Sequence, residues 1–584
     1  MGPQTPLRIA LKKFRSILGT TVVFSFFINL LMFIGPLYML QVYDRVLASR
    51  NETTLLMLTV IACALLAIYG ILEFVRSRLL VRAGIQFDEV LAQPLFHRVL
   101  KGTLQTPGSN TAFALGDIDK LREFLTGNGL LAILDAPWVP IFLAVCFVFH
   151  PLLGFVATTG AVLIFILALA NEFSTSKTLR EAGMASQTAS HFASTTLQNA
   201  EVIKALGMES ALREKWQDKH RDVLSLQAKA SDRAGVVMSM SKFVRMALQV
   251  FILGAGAYLV LQNEVSPGIM IAASIMMGRA LAPVEQAVAH WKQVVAARSA
   301  YSRLDSLFDK VKADPERTDL PAPTGDVNVE GLVSVIPGTR NTVLNGVTFA
   351  LAPGEVLAVI GPSGAGKSSL VRHLVGVWSA INGTVRLDGA ELVHWDPERL
   401  AQYIGYLPQD VELFSGTISE NIARFQLDRD EDVVAAAKKA GVHEMILELS
   451  DGYDTQIGEG GRQLSGGQRQ RVGLARAMFG DPKMIVLDEP NSNLDSSGEE
   501  ALMGAIQSMK ESGSTVIFVS HKANLLALSE KVLVLNKGRV QAFGPTQQIM
   551  QPSAKSAQID GNTHSQKQTA LASNTTGALQ GSNG

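Results

Sequence analysis

The chain has 584 residues, 47% of them apolar and 18% charged, with equal numbers of basic and acidic side chains. It is too long for one compact core, and its shortage of charge against about 25% in ordinary soluble domains points to membrane burial. Zero net charge offers no global basic field for nucleic acid, and two cysteines without ligand spacing argue against a disulfide framework or a thiol enzyme. Those cysteines, Cys63 and Cys146, lie in apolar runs and are expected to be buried small apolar residues.

In chain order, residues 1–18 form an N-terminal segment with Arg8, Lys12, Lys13 and Arg15. The apolar run that follows is too long for a cleavable signal and predicts a helix that stays in the membrane. Six stretches reach or approach the roughly 20 residues needed to cross a bilayer. They lie at 19–41, 54–75, 129–148, 151–171, 244–262 and 266–288. Pro36 lies inside the first, which is tolerable where neighbouring helices satisfy the freed carbonyl. Phe149-His150-Pro151 predicts a tight hairpin between the third and fourth. Lys and Arg crowd the N-terminus and the 76–128 and 172–243 connections, whereas 42–53 has only Arg45 and Arg50, and 149–150 and 263–265 have neither type. That asymmetry predicts cytoplasmic termini and two long cytoplasmic connections. Arg279 and Glu285, in the sixth span, are expected either to line a channel or to reach the cytoplasmic interface.

These spans and connections make a membrane region of residues 19–310. Residues 311–325, with Pro315, Pro321 and Pro323, read as a linker. From 326 to 548, strand-like and helical runs alternate as in a soluble α/β nucleotide-binding domain. Residues 549–584 are rich in Ser, Gln, Thr, Asn and Gly and are expected to be a disordered tail.

Gly361-Pro362-Ser363-Gly364-Ala365-Gly366-Lys367-Ser368 follows the apolar strand 356–360 and precedes a helix start at Ser369-Leu370-Val371. Its glycines let backbone N–H groups wrap phosphates. Lys367 supplies a point charge for the β- and γ-phosphates, and the Ser368 hydroxyl suits Mg²⁺. The strand 484–487 ends in Asp488 and Glu489. Placed beside the phosphates, Asp488 can hold Mg²⁺ through water while Glu489 polarises an attacking water. Between these elements, Leu464-Ser465-Gly466-Gly467-Gln468 opens a helix as a second anion site. It is too far along the chain to belong to the local phosphate loop.

With Arg469-Gln470-Arg471 behind it, that last segment resembles the signature of the ABC ATPases. The resemblance spans about residues 5–548. It implies a six-helix α transmembrane domain of the ABC exporter type fused to an α/β P-loop ABC ATPase domain, using ATP and Mg²⁺. It also implies that Ser465 and Gly467 cap the γ-phosphate held by a second copy, with Ser369, Gln468 and Asp495 among the residues of the nucleotide site. Gln409, in Tyr406-Leu407-Pro408-Gln409, matches the loop that senses Mg²⁺ and the membrane domain, and His521 matches the γ-phosphate histidine. Glu459 matches a contact with the partner's helices, and 491–495 the loop facing the partner ATPase. One departure is that Val333-Ser334-Val335-Ile336-Pro337-Gly338 lacks the aromatic residue that stacks on adenine, which leaves apolar contact to hold the base.

Three stretches narrow the resemblance to bacterial type I secretion exporters of proteases and lipases. They are Tyr38-Met39-Leu40-Gln41-Val42-Tyr43-Asp44-Arg45-Val46-Leu47, Leu134-Asp135-Ala136-Pro137-Trp138-Val139-Pro140 and Pro490-Asn491-Ser492-Asn493-Leu494-Asp495. Singly, each also reads as an interface, a helix start or a polar turn. With 18 residues ahead of the first span, no N-terminal peptidase domain is expected. The resemblance then implies an inner-membrane homodimer with both termini cytoplasmic, driven by alternating ATP binding and hydrolysis. Connections near 105–120 and 200–212 would transmit the movement. An unfolded protein with a C-terminal signal would pass to a periplasmic adaptor and an outer-membrane channel, with no nucleic acid involved. The alternative is an exporter of lipid, drug or peptide on the same architecture.

Overall fold

The computed structural model describes residues 5–106, 111, 113–312 and 320–550. The chain divides into two compact units, Met1–Thr103 with Gly108–Ala313, and Leu104–Pro107 with Asp314–Gly584. The expected linker lies partly outside the described residues, the tail from 551 onward wholly so, and so does the side chain of Glu459.

In the first unit, α1 (Pro6–Leu31) and α2 (Ile34–Gln41) share the first span, interrupted at Met32 and Phe33. The interruption sits where Pro36, lacking an N–H, leaves the Met32 carbonyl without its helical donor. A π-helical turn, Val42–Val46, follows. Then come α3 (Glu52–Gln105), α4 (Phe113–Thr126), α5 (Asn128–Asp135), α6 (Val139–Phe149), α7 (Pro151–Gln198), α8 (Ala200–Ala205), α9 (Glu209–Leu261), α10 (Pro267–Ala289) and α11 (Trp291–Lys310). Among the described residues, 6 helical stretches are long and apolar enough to cross a membrane, matching the six apolar runs. The hairpin at His150 is present, and its Nδ1 caps α7 by accepting the Leu152 N–H at 3.1 Å. Cys146 is buried, but Cys63 is exposed, contrary to expectation. The apolar window of α3 has 0% of its residues buried within the chain, so the surroundings of Cys63 are an outward face rather than a core.

Several polar side chains of these helices are paired with one another. Arg76, 3% exposed, donates to Asp135 at 3.0 and 3.2 Å, to Ser25 at 2.9 Å and to Glu73 at 2.8 and 2.9 Å. Asn29 adds a donor to Asp135 at 3.0 Å. Asp44, on the π turn, accepts from the Gly268 N–H at 2.9 Å and the Ser266 hydroxyl at 2.5 Å, closing the N-terminus of α10. A Cβ on Gly268 would stand 2.5 Å from that carboxylate, so the approach requires glycine. Glu285 lies 3.1 Å from Arg245 of α9, which gives it a protein partner, while Arg279 is exposed. Outside the spans, Asp117 of α4 is buried and accepts Arg303 at 2.7 and 2.8 Å and Lys120 at 2.9 Å. Burial is the largest influence and acts to raise its carboxyl pKa. The hydrogen bonds and charges of Arg303 and Lys120 together outweigh it and hold the group below the usual carboxylate range.

The second unit has two sheets. One is antiparallel, from β1 (Val327–Val335), β2 (Thr342–Leu351), β4 (Asn382–Leu387) and β5 (Ala390–Glu391) in the order β2-β1-β4-β5. The other is built on β3 (Val356–Ile360), β6 (Ile404–Leu407), β7 (Met484–Asp488), β8 (Thr515–Val519), β9 (Lys531–Asn536) and β10 (Arg539–Pro545), ordered β10-β9-β3-β8-β7-β6. All its pairs except β10 with β9 are parallel. β7 and β8 are buried at every residue, which explains their unbroken apolar sequences in place of alternation.

Candidate functional site

In a parallel sheet every strand ends on the same edge, and that edge is where such folds place ligands. Here β3 runs into Gly361, β8 into Ser520 and His521, β7 into Asp488 and Glu489, and β6 into Pro408 and Gln409. The Asp488–Val519 and Leu407–Leu487 pairings put three of these exits in register. Residues scattered from 361 to 521 therefore share one rim.

At the first exit, Gly361 has φ 151°, and a Cβ there would lie 2.1 Å from the Leu535 carbonyl oxygen. Only glycine lets the loop turn so close to β9. The loop closes on α12 (Lys367–Leu374), whose first residue is buried. Lys367 Nζ donates to the Gly361 and Pro362 carbonyls at 2.6 and 3.2 Å. Pro362, Ser363 and Gly364 are exposed, whereas Ala365, Gly366 and Ser369 are buried.

Asp488 is 3% exposed, and its Oδ1 has no hydrogen-bond partner among the described residues. Burial pushes its carboxyl above the ordinary value. The Ser368 hydrogen bond opposes the rise, the Glu489 charge adds to it, and the Arg372 and Lys367 charges lower it. A buried oxygen left open beside a serine hydroxyl is the hard oxygen donor set that suits Mg²⁺. Glu489 adopts φ 49°, an uncommon backbone for a residue with a side chain, and its N–H is held by the Val519 carbonyl at 3.2 Å. Its Oε2 accepts Gln409 Nε2 at 3.0 Å, joining two residues 80 positions apart. His521 is exposed, and its ring makes no hydrogen bond among the described residues.

The second anion site is also formed. Ser465 is the N-cap of α13 (Gly466–Met478), and its hydroxyl accepts the Gln468 N–H at 3.2 Å. Gln468 returns a bond by accepting the Ser465 N–H at 2.8 Å, so this pair is a capping box. Gly467 lies where a Cβ would stand 3.0 Å from the Asn493 carbonyl oxygen. Asp495 caps the next helix, α14 (Ser496–Glu511), accepting from Gly498 at 2.8 Å and Ser497 at 3.1 Å, and these bonds lower its carboxyl pKa. The carboxylate of Asp495 and the side chain of Gln468 are thus engaged as caps. In the turn after β1, Ile336 is 38% exposed and offers an apolar surface.

Three further side chains tie this rim together. Gln470, buried in α13, donates to the Pro490 carbonyl at 3.1 Å, and the Ser520 hydroxyl donates to Asn491 Oδ1 at 3.0 Å. Gln470 lies two positions after the Leu464–Gln468 signature and Ser520 directly precedes His521, so nearness to motif residues was the available signal.

Comparison with known proteins agrees with this construction. Residues 18–282 match the family described as ABC transporter transmembrane region, and residues 344–492 that described as ABC transporter. The chain is 44% identical over 540 residues to the type I secretion system ATP-binding protein PrsD of Rhizobium meliloti (strain 1021), covering 92% of this chain and 93% of that one. It is 29% identical over 550 residues to the leukotoxin translocation ATP-binding protein LktB of Mannheimia haemolytica, covering 93% of this chain and 78% of that one. A solved bacterial Atm1-family ABC exporter with ATP bound superposes with a TM-score of 0.75 at 23% identity, over 94% of this chain and 98% of its own, a likeness of fold.

Proposed function

Because the chain belongs to the ABC exporters of type I secretion, joining the transmembrane region of that family to its ATPase, we propose that it is the ATP-hydrolysing inner-membrane component of a type I protein secretion system. It works as a homodimer with both termini cytoplasmic, together with a periplasmic adaptor and an outer-membrane channel. Its passenger is an unfolded protein with a C-terminal signal. Near-full-length likeness to a type I secretion system ATP-binding protein and to a leukotoxin translocation ATP-binding protein supports a protein passenger. The observation that carries the ATPase reading is the Gln409–Glu489 contact beside Asp488 at the strand rim.

In this reading, Lys367 releases the carbonyls of its own loop and turns its charge to the β- and γ-phosphates of ATP, whose other oxygens meet the N–H groups of residues 363–369. Ser368, Asp488 and Gln409 would hold Mg²⁺, which when bound would supply neutralisation of phosphate charge. Glu489 orients and polarises the attacking water, and His521 meets the γ-phosphate. Ser465 and Gly467 of the second copy complete the site, and Ile336 gives the base apolar contact.

The deciding experiment compares extracellular proteins from cells carrying wild type or Lys367→Ala at matched expression. Loss of specific proteins from the medium, with accumulation inside, is the expected result. Unchanged profiles with ATPase activity stimulated by small amphiphiles would move the assignment to lipid or drug export.

A further inference from the structure

We infer that Asn491 is a positioning residue for His521, acting through the hydroxyl of Ser520. The inference deepens the hydrolytic reading above and rests on it.

Residues 489–492 form a turn in which the Ser492 N–H meets the Glu489 carbonyl at 3.2 Å. The turn is pinned on both flanks. The Glu489 N–H is bonded to Val519 of β8, and the Pro490 carbonyl is bonded to buried Gln470 of α13. With its backbone fixed, Asn491 brings Oδ1 to 3.0 Å from the Ser520 hydroxyl. That hydroxyl, on a residue 1% exposed, also accepts the Lys522 N–H at 3.2 Å. A serine hydroxyl has one proton to give. Since the Lys522 amide donates to it, the proton goes to Asn491, and the direction of the chain from Lys522 N–H through Ser520 O–H to the Asn491 carbonyl is set. Bonds in such a chain polarise one another.

The chain brackets His521, joining the residue before it to the amide after it. Because the exposed His521 ring has no hydrogen-bond partner among the described residues, its aim depends on its backbone. Asn491, two residues after Glu489, is the point at which the turn carrying the water-polarising carboxylate sets that backbone. As an ordinary polar turn residue, Asn491 would affect stability without any dependence on His521.

The test uses the full-length protein in nanodiscs, with single-turnover hydrolysis and ATP affinity measured separately. The variants are Asn491→Ala, Ser520→Ala, His521→Ala and the doubles Asn491→Ala/Ser520→Ala and Asn491→Ala/His521→Ala. Loss of one hydrogen bond predicts a fall in rate of about fivefold for Asn491→Ala and for Ser520→Ala, with ATP affinity kept within about twofold. The first double is no slower than either single, and Asn491→Ala adds nothing in the His521→Ala background. A wild-type rate in Asn491→Ala overturns the inference, as does an equal fall in the His521→Ala background. If His521→Ala itself hydrolyses at the wild-type rate, the role of His521 fails and the tie fails with it. An impaired His521→Ala beside a normal Asn491→Ala removes the tie alone.

Discussion

The strand rim of the ATPase and the ion cluster among the membrane helices use the same side-chain types for opposite purposes. At the rim, Asp488 keeps an oxygen open, Glu489 stands in an uncommon backbone, and His521 is exposed. In the membrane unit, Asp135 is answered by Arg76 and Asn29, and Arg76 by Ser25 and Glu73. A polar group left open costs stability, and a region tolerates it where the group has a ligand to meet. An open oxygen and an exposed imidazole suit a region that meets a ligand, whereas mutual pairing of charges suits a framework.

The largest test of that contrast is Glu489→Gln. It keeps shape and removes the charge that polarises water, so ATP still binds while hydrolysis falls by about 10² to 10⁴-fold. Steady-state turnover and nucleotide binding read the two separately, and near-wild-type turnover breaks the assignment. Arg76→Met tests the closed side. It leaves two carboxylates without their shared cation, and breaking a buried pair typically costs about 3 to 5 kcal/mol. Thermal unfolding in detergent should fall accordingly, and adding Asp135→Asn should recover part of the loss; an unchanged midpoint would make the cluster incidental. The smallest effect is a pH dependence at Asp117. Its carboxyl pKa is lower in the folded chain than in the unfolded one. The stability it contributes is therefore full above about pH 4, the unfolded value, and is lost as pH falls through the lower folded value. The gap in unfolding midpoint between wild type and Asp117→Asn should close on acidification, and a gap that widens would reverse the sign.

The same contrast explains how much was legible before the structure. Lys367, Ser368, Asp488, Glu489 and the Ser465 signature stand in runs whose chemistry and spacing declare themselves. The membrane spans were legible because each is a continuous apolar run, although α3 continues to Gln105 where the run ended near residue 75. That extension is charged sequence that remains helical, and hydropathy does not register it. What stayed hidden are contacts between distant positions. Arg76 meets Asp135 across 59 residues, Asp44 meets Gly268 across 224, and Ser520 meets Asn491 across 29. The capping roles of Gln468 and Asp495 lay within single helix starts, yet the family resemblance drew attention to nucleotide instead. Cys63 misled because an apolar run faces outward as readily as inward in a membrane helix.

The Arg76 cluster also bears on how the chain is made. Its members leave the ribosome in the order Ser25 and Asn29, then Glu73 and Arg76, then Asp135. An aspartate left without a partner inside a membrane span is costly. By the time the third span is synthesised, the first two already present the donors that Asp135 requires. The third helix therefore has a polar socket to enter rather than bare lipid, and moving Asp135 into the first span would reverse that order of assembly.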